Sequence, residues 1–171
     1  MQGLVKLLLF CALILAPSRA AVAQTQQDLS SRGQYIFTAV QGCACHTPRN
    51  PDGNNNANLF MAGAPPNPPA VGNPPTIGWT TKTWKKLYAR NITPDSETGI
   101  GKWTEAEFIA AMKTGRTPEG RILDPVMPWD RFQAITDTDL RAIWAYIRTL
   151  KPIRNKPPEN VSAESSPGEK K

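Results

Sequence analysis

Apolar positions recur at helical spacing in three separate stretches of the chain. The first runs from about Leu29 to Val40, the second covers about residues 105–114, and the third runs from about Asp137 to Leu150. The third is the most regular, because its apolar side chains repeat every three or four residues: Leu140, Ile143, Trp144, Ile147 and Leu150. These patterns predict amphipathic helices, and a further short helix is predicted over Thr83 to Arg90.

Capping signals mark the ends of two of these helices. Thr104 and Glu107 form a capping box at the start of the second, and Gly115 follows its last apolar position, where a left-handed residue often ends a helix. The third helix begins behind Thr136 or Thr138 and stops at Pro152. Residues 50–80 and 115–135 are rich in proline and glycine and are predicted as loops. The fold class predicted is all-α, with three to four short helices and long loops.

The N-terminus has the pattern of an export signal. Lys6 provides a positive charge, Leu7 to Ala16 is apolar, and small residues allow cleavage after Ala23. The predicted organisation is a signal peptide over 1–23, one domain over 24–154 and a disordered tail over 155–171, where apolar periodicity ends. Cys11 leaves with the signal. Localisation in the periplasm follows, with no membrane span after cleavage.

The charge balance excludes one class of partner. The full chain carries +6, and cleavage removes Lys6 and Arg19, which leaves +4 on a chain of scattered charges. No basic block with interleaved aromatic residues occurs, so nucleic-acid binding is not predicted. Lys82, Lys85, Lys86 and Arg90 could form a face that docks an acidic partner, although a solvated run of charge is the simpler interpretation.

The chemistry of the chain is concentrated at Gly42-Cys43-Ala44-Cys45-His46. His46 is the only histidine, and after cleavage Cys43 and Cys45 are the only cysteines. In an oxidising compartment such a pair becomes a disulfide, a metal site or a cofactor anchor. Covalent haem attachment uses C-x-x-C-H, in which both thiols bind vinyl groups and the histidine ligates iron. This chain has C-x-C-H, one residue short.

Taken in order, the motifs resemble mono-haem class I cytochrome c, in particular exported c-type domains of bacterial dehydrogenases. The resemblance covers roughly Arg32 to Asn155. It is carried by five segments: GQYI at 33–36, GCACHTPR at 42–49, NITPDSETGIGKW at 91–103, PVMPW at 125–129 and TDTDLRAIWAYIR at 136–148. The resemblance implies a small cytochrome c fold wrapped around one haem c, which would also stabilise a thin apolar core.

The resemblance also implies roles for single residues. Gly33 would allow the first and last helices to cross, with Tyr146 packing there. His46 cannot pair with a second imidazole, so a thioether is expected as the other iron ligand, and Met127 matches the axial methionine of the family. Met61 and Met112 are the alternatives. Asn91 and Thr93, with Arg90 beside them, match the segment near the propionates, while Trp103 and Trp129 are candidates to pack on the macrocycle.

The short spacing between the cysteines affects their chemistry. Successive helical residues advance by about 100°, so side chains two positions apart diverge by about 200°. Cys45 keeps its place next to His46, and Gly42 stands where the family has its first cysteine. The hypothesis is that Cys45 forms the thioether and that the bond from Cys43 is strained or absent.

The predicted function is single-electron transfer through one His46/Met127-ligated haem, without catalysis by this chain. Electrons would enter from a dehydrogenase or respiratory complex and leave to another cytochrome or an oxidase. Two other classes stay open: a copper-binding protein that uses Cys43, Cys45, His46 and a methionine, and a haem-free interaction module derived from a cytochrome. A red protein whose absorbance survives denaturation and organic extraction favours the cytochrome. Colourless protein with bound copper selects the copper-binding protein, and colourless protein without metal selects the interaction module.

Overall fold

The computed structural model describes residues 19–68 and 78–163. Within these ranges the chain forms five α-helices, one 3₁₀ turn at Ala57–Leu59 and three short strands. The helices are α1 Arg19–Ala39, α2 Gly42–His46, α3 Glu105–Thr114, α4 Trp129–Phe132 and α5 Asp137–Thr149. The strands are β1 Gly78–Trp79, β2 Trp84–Tyr88 and β3 Val161–Ser162.

The core is built where α1 crosses α5. Gly33 lies directly on the backbone of α5, since a Cβ at this position would stand 1.8 Å from the carbonyl oxygen of Ala142. Beside this contact, the rings of Phe37 and Tyr146 pack with centroids 6.0 Å apart. The apolar face predicted for the last helix is buried, and Leu140 is fully enclosed. The predicted crossing at Gly33 and Tyr146 is therefore confirmed.

The capping signals operate as predicted for α3. The Thr104 side chain accepts a hydrogen bond from the Glu107 amide, and the Glu107 carboxylate accepts one from the Thr104 amide. Gly115 ends the helix in the left-handed region, at φ 68°. For α5, the cap is Thr136, whose hydroxyl accepts a hydrogen bond from the Asp139 amide. These ends follow from local hydrogen bonds that the sequence alone specifies.

The prediction of a short helix over Thr83 to Arg90 is wrong. The helical content agrees with the predicted all-α class, but a small sheet means that the fold is not purely all-α. Trp84–Tyr88 is the central strand of a three-stranded antiparallel sheet ordered β1-β2-β3. Its apolar residues, Trp84, Leu87 and Tyr88, are spaced three and four positions apart as in a helix, and pairing with distant segments overrides this local pattern. The predicted disordered tail is also corrected as far as Ala163, because β3 lies within it and Asn155 is buried.

The first helix is longer than predicted, since α1 begins at Arg19 in the described chain rather than near Leu29. Residues 1–18 of the predicted signal peptide, and residues 164–171 of the predicted tail, lie outside the described residues. Among the helices that are described, none combines the length and the apolar character needed to span a bilayer.

Candidate functional site

A largely apolar cavity of about 490 Å³ lies between the helices and the loops. Phe37 of α1, Phe108 of α3 and Ile143 of α5 contribute to its wall. Loop residues 89–92 and 126–128 line other parts of it. Cavities of roughly 300–1,000 Å³ with apolar walls and a few polar groups are typical binding sites for cofactors and small molecules.

His46 ends α2 and places its imidazole on the cavity wall. Its Nδ1 atom lies 2.8 Å from the main-chain oxygen of Arg90. A carbonyl oxygen can only accept a hydrogen bond, so Nδ1 carries the proton and Nε2 keeps a free lone pair. Burial lowers the pKa of His46, and the hydrogen bond to Arg90 opposes this effect. A neutral imidazole oriented through its other nitrogen is the usual form of a histidine metal ligand.

Cys45 is half-buried on the same wall, and burial raises the pKa of its thiol. The side chain of Cys43 lies outside the described part of the chain. Residues 42–46 nevertheless form regular helix, so the backbone does not bring positions 43 and 45 to one side. Gly42 is covered by the Phe37 ring, because a Cβ there would meet the ring carbons at 2.5–2.7 Å.

The three methionines in the described part of the chain occupy different environments. Met127 and Met112 both line the cavity, Met127 from a loop and Met112 from α3. Met61 is fully buried in the core, away from the cavity wall, with its backbone in the left-handed region at φ 58°. The structure therefore brings His46, Cys45 and Met127 to one cavity, with Met112 as a second thioether.

The side chains of Asn91 and Thr93 form hydrogen bonds with each other and with the backbone of residues 153–155. The Asn91 amide donates hydrogen bonds to the carbonyl oxygens of Ile153, at 2.7 Å, and Asn155, at 3.2 Å. Thr93 is fully buried, and its hydroxyl donates to the Asn91 side-chain oxygen at 2.8 Å. Asn91 lines the cavity, whereas Thr93 is not part of the wall formed by the described residues. Both residues therefore anchor the segment that follows α5.

Of the two candidate tryptophans, only Trp103 lines the cavity. Trp103 lines the cavity and donates its Nε1 hydrogen bond to the Glu119 carboxylate at 2.8 Å. Trp129 packs on Gly115, where a Cβ would come within 2.5 Å of the indole ring, and it does not contribute to the described cavity wall. The Nε1 atom of Trp129 is buried and has no hydrogen-bond partner among the described residues.

Charged side chains that the sequence did not single out meet at the edge of the cavity: Glu119, Arg121 and Glu159, together with the expected Arg90. The Arg90 guanidinium donates hydrogen bonds to the Pro158 carbonyl oxygen at 2.9 Å and to the Asn160 side-chain oxygen at 2.7 Å. Burial lowers the pKa of Arg121, and the nearby positive charge of Arg90 lowers it further. No motif surrounds these residues, so nothing local in the sequence points to them.

Lys82, Lys85 and Lys86 are exposed, the last two on β2.

Across residues 19–68 and 78–163, the structure contains no group of three or more histidine, cysteine, aspartate and glutamate side chains arranged to hold a metal ion.

The residues of the cavity fit a covalently bound haem. An imidazole with its Nε2 lone pair free, an adjacent thiol and two thioethers are the donor types that c-type haem sites use. Arg90 and Arg121 add positive charge to the wall, which suits anionic propionates.

Known proteins similar to this chain include components of bacterial dehydrogenases. It is 46% identical over 74 residues to a component of the nicotinate dehydrogenase of Pseudomonas putida, an alignment that covers 43% of this chain and 6% of that protein. It is 32% identical over 138 residues to the fructose dehydrogenase cytochrome subunit of Gluconobacter japonicus. It is 31% identical over 145 residues to the cytochrome c subunit of the quinone alcohol dehydrogenase of Gluconobacter oxydans.

The last two alignments cover 80% and 82% of this chain but 24% and 26% of the relatives. The chain thus spans about a quarter of their length. No protein-family model matches it. The relatives support the cytochrome c family, as the motif order indicated. Over about four fifths of its length, the chain is homologous to cytochrome c subunits of dehydrogenases, which carry electrons rather than catalyse the oxidation.

Proposed function

We propose that this chain is a periplasmic c-type cytochrome that binds one haem and passes single electrons from a dehydrogenase to a downstream acceptor. The observation that supports it best is the cavity itself, whose wall holds His46, Cys45 and Met127 among apolar side chains. Its homology to dehydrogenase cytochrome subunits supports the choice of partner. Haem would supply one-electron chemistry at its iron.

The residues of the chain bind and tune that group. His46 offers Nε2 while its Nδ1 is held by Arg90, and Met127 offers sulfur from a segment fixed by Pro125 and Pro128. A methionine ligand raises the reduction potential and fills the position that oxygen would need. The positive charges of Arg90 and Arg121 on the cavity wall would attract the propionates. If His46 and Met127 both ligate the iron, the site would favour electron transfer over catalysis.

We further propose that Cys45 makes the single dependable thioether. The backbone over residues 42–46 is helical, and successive positions of a helix advance by about 100°, so positions 43 and 45 are separated by about 200° around its axis. The place of the family's first cysteine is held by Gly42, which the Phe37 ring covers.

Expression with haem-maturation machinery tests the function and the attachment together. We expect a Soret band that survives denaturation and organic extraction, because the haem is covalent. Cys43→Ala should retain covalent haem, and Cys45→Ala should lose it, as measured by mass spectrometry of the haem peptides. Competently matured protein without a Soret band would contradict the function, and loss of all covalent haem in Cys43→Ala would contradict the single thioether.

Matched substitutions test the second ligand, since Met127 and Met112 both line the cavity. Leucine has nearly the volume of methionine but no sulfur, so each change removes a ligand with little change in packing. Met127→Leu should abolish the sulfur-to-iron charge-transfer band of the oxidised protein and lower the potential. Met112→Leu should keep both. The opposite pattern would assign Met112 as the ligand.

A further inference from the structure

Two segments of the chain hold His46, one through its backbone carbonyl oxygen and the other through its imidazole ring. The Gly63 amide donates a hydrogen bond to the His46 carbonyl oxygen at 2.8 Å, which fixes its backbone. The Arg90 carbonyl oxygen fixes the ring through Nδ1 at 2.8 Å. We call residues 61–64 the ligand loop and residues 89–92 the carbonyl segment. The direction of the imidazole depends on how these two segments sit against each other.

The ligand loop and the carbonyl segment are bound directly to one another. The Ala64 amide donates to the Ala89 carbonyl oxygen at 3.0 Å, and the Ile92 amide donates to the Met61 carbonyl oxygen at 3.0 Å. Gly63 packs so closely that a Cβ would stand 2.6 Å from the Ala89 oxygen. Met61 holds a left-handed conformation that non-glycine residues adopt only where surrounding contacts enforce it. The loop therefore needs an external support.

That support comes from residues 153–163, which we call the C-terminal strap. The buried Asn155 amide donates both of its hydrogens to the ligand loop, to the Ala62 oxygen at 2.7 Å and to the Ala64 oxygen at 2.8 Å. Asn91, in the carbonyl segment, donates to the Ile153 oxygen at 2.7 Å. The strap thus joins both segments that hold His46, and Asn155 is its contact with the loop.

We propose that Asn155 is a positioning residue for His46, an inference that rests on the proposed function of His46 as the haem ligand. Without its two donors, the ligand loop loses its outer support and the Arg90 carbonyl oxygen is less firmly placed against Nδ1. That hydrogen bond makes the imidazole a stronger electron donor, which favours oxidised iron. Loss of Asn155 therefore raises the reduction potential.

The test uses the haem-loaded protein and spectroelectrochemical titration. At the midpoint potential of the unsubstituted protein, Asn155→Ala should increase the ratio of reduced to oxidised haem by roughly threefold or more, which is about 28 mV or more at about 59 mV per tenfold for one electron. Asn155→Ser keeps one donor and should shift the ratio less, in the same direction. The resonance of the His46 Nδ1 proton should move toward that of a weaker hydrogen bond in both variants.

Thr136→Ala is the matched control, because it weakens the start of α5 without touching His46 or the strap. It should lower stability and leave the potential unchanged. Equal shifts of the reduction potential in Thr136→Ala and Asn155→Ala would overturn the inference. Asn155 variants whose reduction potential equals that of the unsubstituted protein would overturn it as well. Asn155→Ser and the proton resonance decide the question if Asn155→Ala does not fold. If the unsubstituted protein binds no haem, the proposed function falls, and the role of Asn155 falls with it.

Discussion

Gly33→Ala tests whether the crossing of α1 and α5 depends on a missing methyl group. In an exposed helix this change stabilises, because alanine has the higher helix propensity by about 0.5–1 kcal/mol. Here the new Cβ would lie 1.8 Å from the Ala142 oxygen, 2.3 Å from the Ala142 carbonyl carbon and 2.8 Å from the Ile143 nitrogen. All three atoms are backbone, so no side-chain rotation relieves the overlap.

The expected magnitude follows from that geometry. To reach 3.0 Å, below which real Cβ contacts essentially never fall, the helices must separate locally by about 1.2 Å. Such a shift would disturb the Phe37–Tyr146 ring contact beside the crossing. Overpacking of a filled core costs about 1–3 kcal/mol, occasionally more, and this outweighs the gain in propensity. We expect a net loss of about 1 kcal/mol or more in the free energy of unfolding.

Guanidinium unfolding of the haem-loaded protein, followed by circular dichroism, measures this loss. Gln34→Ala is the control, because it places alanine at the next, exposed position of the same helix. Its effect should stay within about 0.5 kcal/mol, as for most surface substitutions. A Gly33→Ala protein as stable as the unsubstituted one, or more stable, would refute the steric argument.

Thr104→Ala removes the cap of α3 and should lower the free energy of unfolding by about 1 kcal/mol, as measured by thermal denaturation. No change would mean that contacts with neighbouring segments hold this helix end. Gly115→Ala should also destabilise, because φ is 68° and the added Cβ would meet the Trp129 ring, and an unshifted melting temperature would contradict this. The hydrogen bond from Arg32 lowers the pKa of Asp139, so the pair stabilises at neutral pH and this contribution disappears as pH falls below about 3.9. By chemical denaturation, Arg32→Ala should therefore have a lower free energy of unfolding than the unsubstituted protein near pH 7 and the same free energy near pH 2. A difference that persists in acid would argue against the ion pair.

The helices that the sequence predicted well carry their signals locally. The hydrogen bonds of the Thr104 cap span three residues, and the apolar face of α5 repeats within thirteen. The prediction for Trp84–Tyr88 is wrong because the apolar spacing there fits a helix, whereas the strand is formed by pairing with Gly78–Trp79 and Val161–Ser162. A choice made by distant pairing has no local signal.

The candidate site could also be predicted from the sequence only in part. His46, Cys45 and Met127 stand in recognisable motifs, and the structure places all three on one cavity. The carbonyl oxygen that orients His46 belongs to the backbone of Arg90, and any residue could provide it. The two carbonyl oxygens that accept hydrogen bonds from the Asn155 side chain lie more than ninety residues away along the chain. Backbone groups and long-range amides leave no pattern in a single sequence.

The crossing at Gly33 also sets an order of events during synthesis. Its counterpart Ala142 lies more than a hundred positions later, so the groove beside Gly33 has no occupant until most of the chain has been made. Contacts that join distant positions form late, because the intervening chain loses entropy when its ends meet. The cavity that holds Cys45 and His46 is therefore complete only after the last helix, which contributes Ile143 and Ile147 to its wall, has packed against the first.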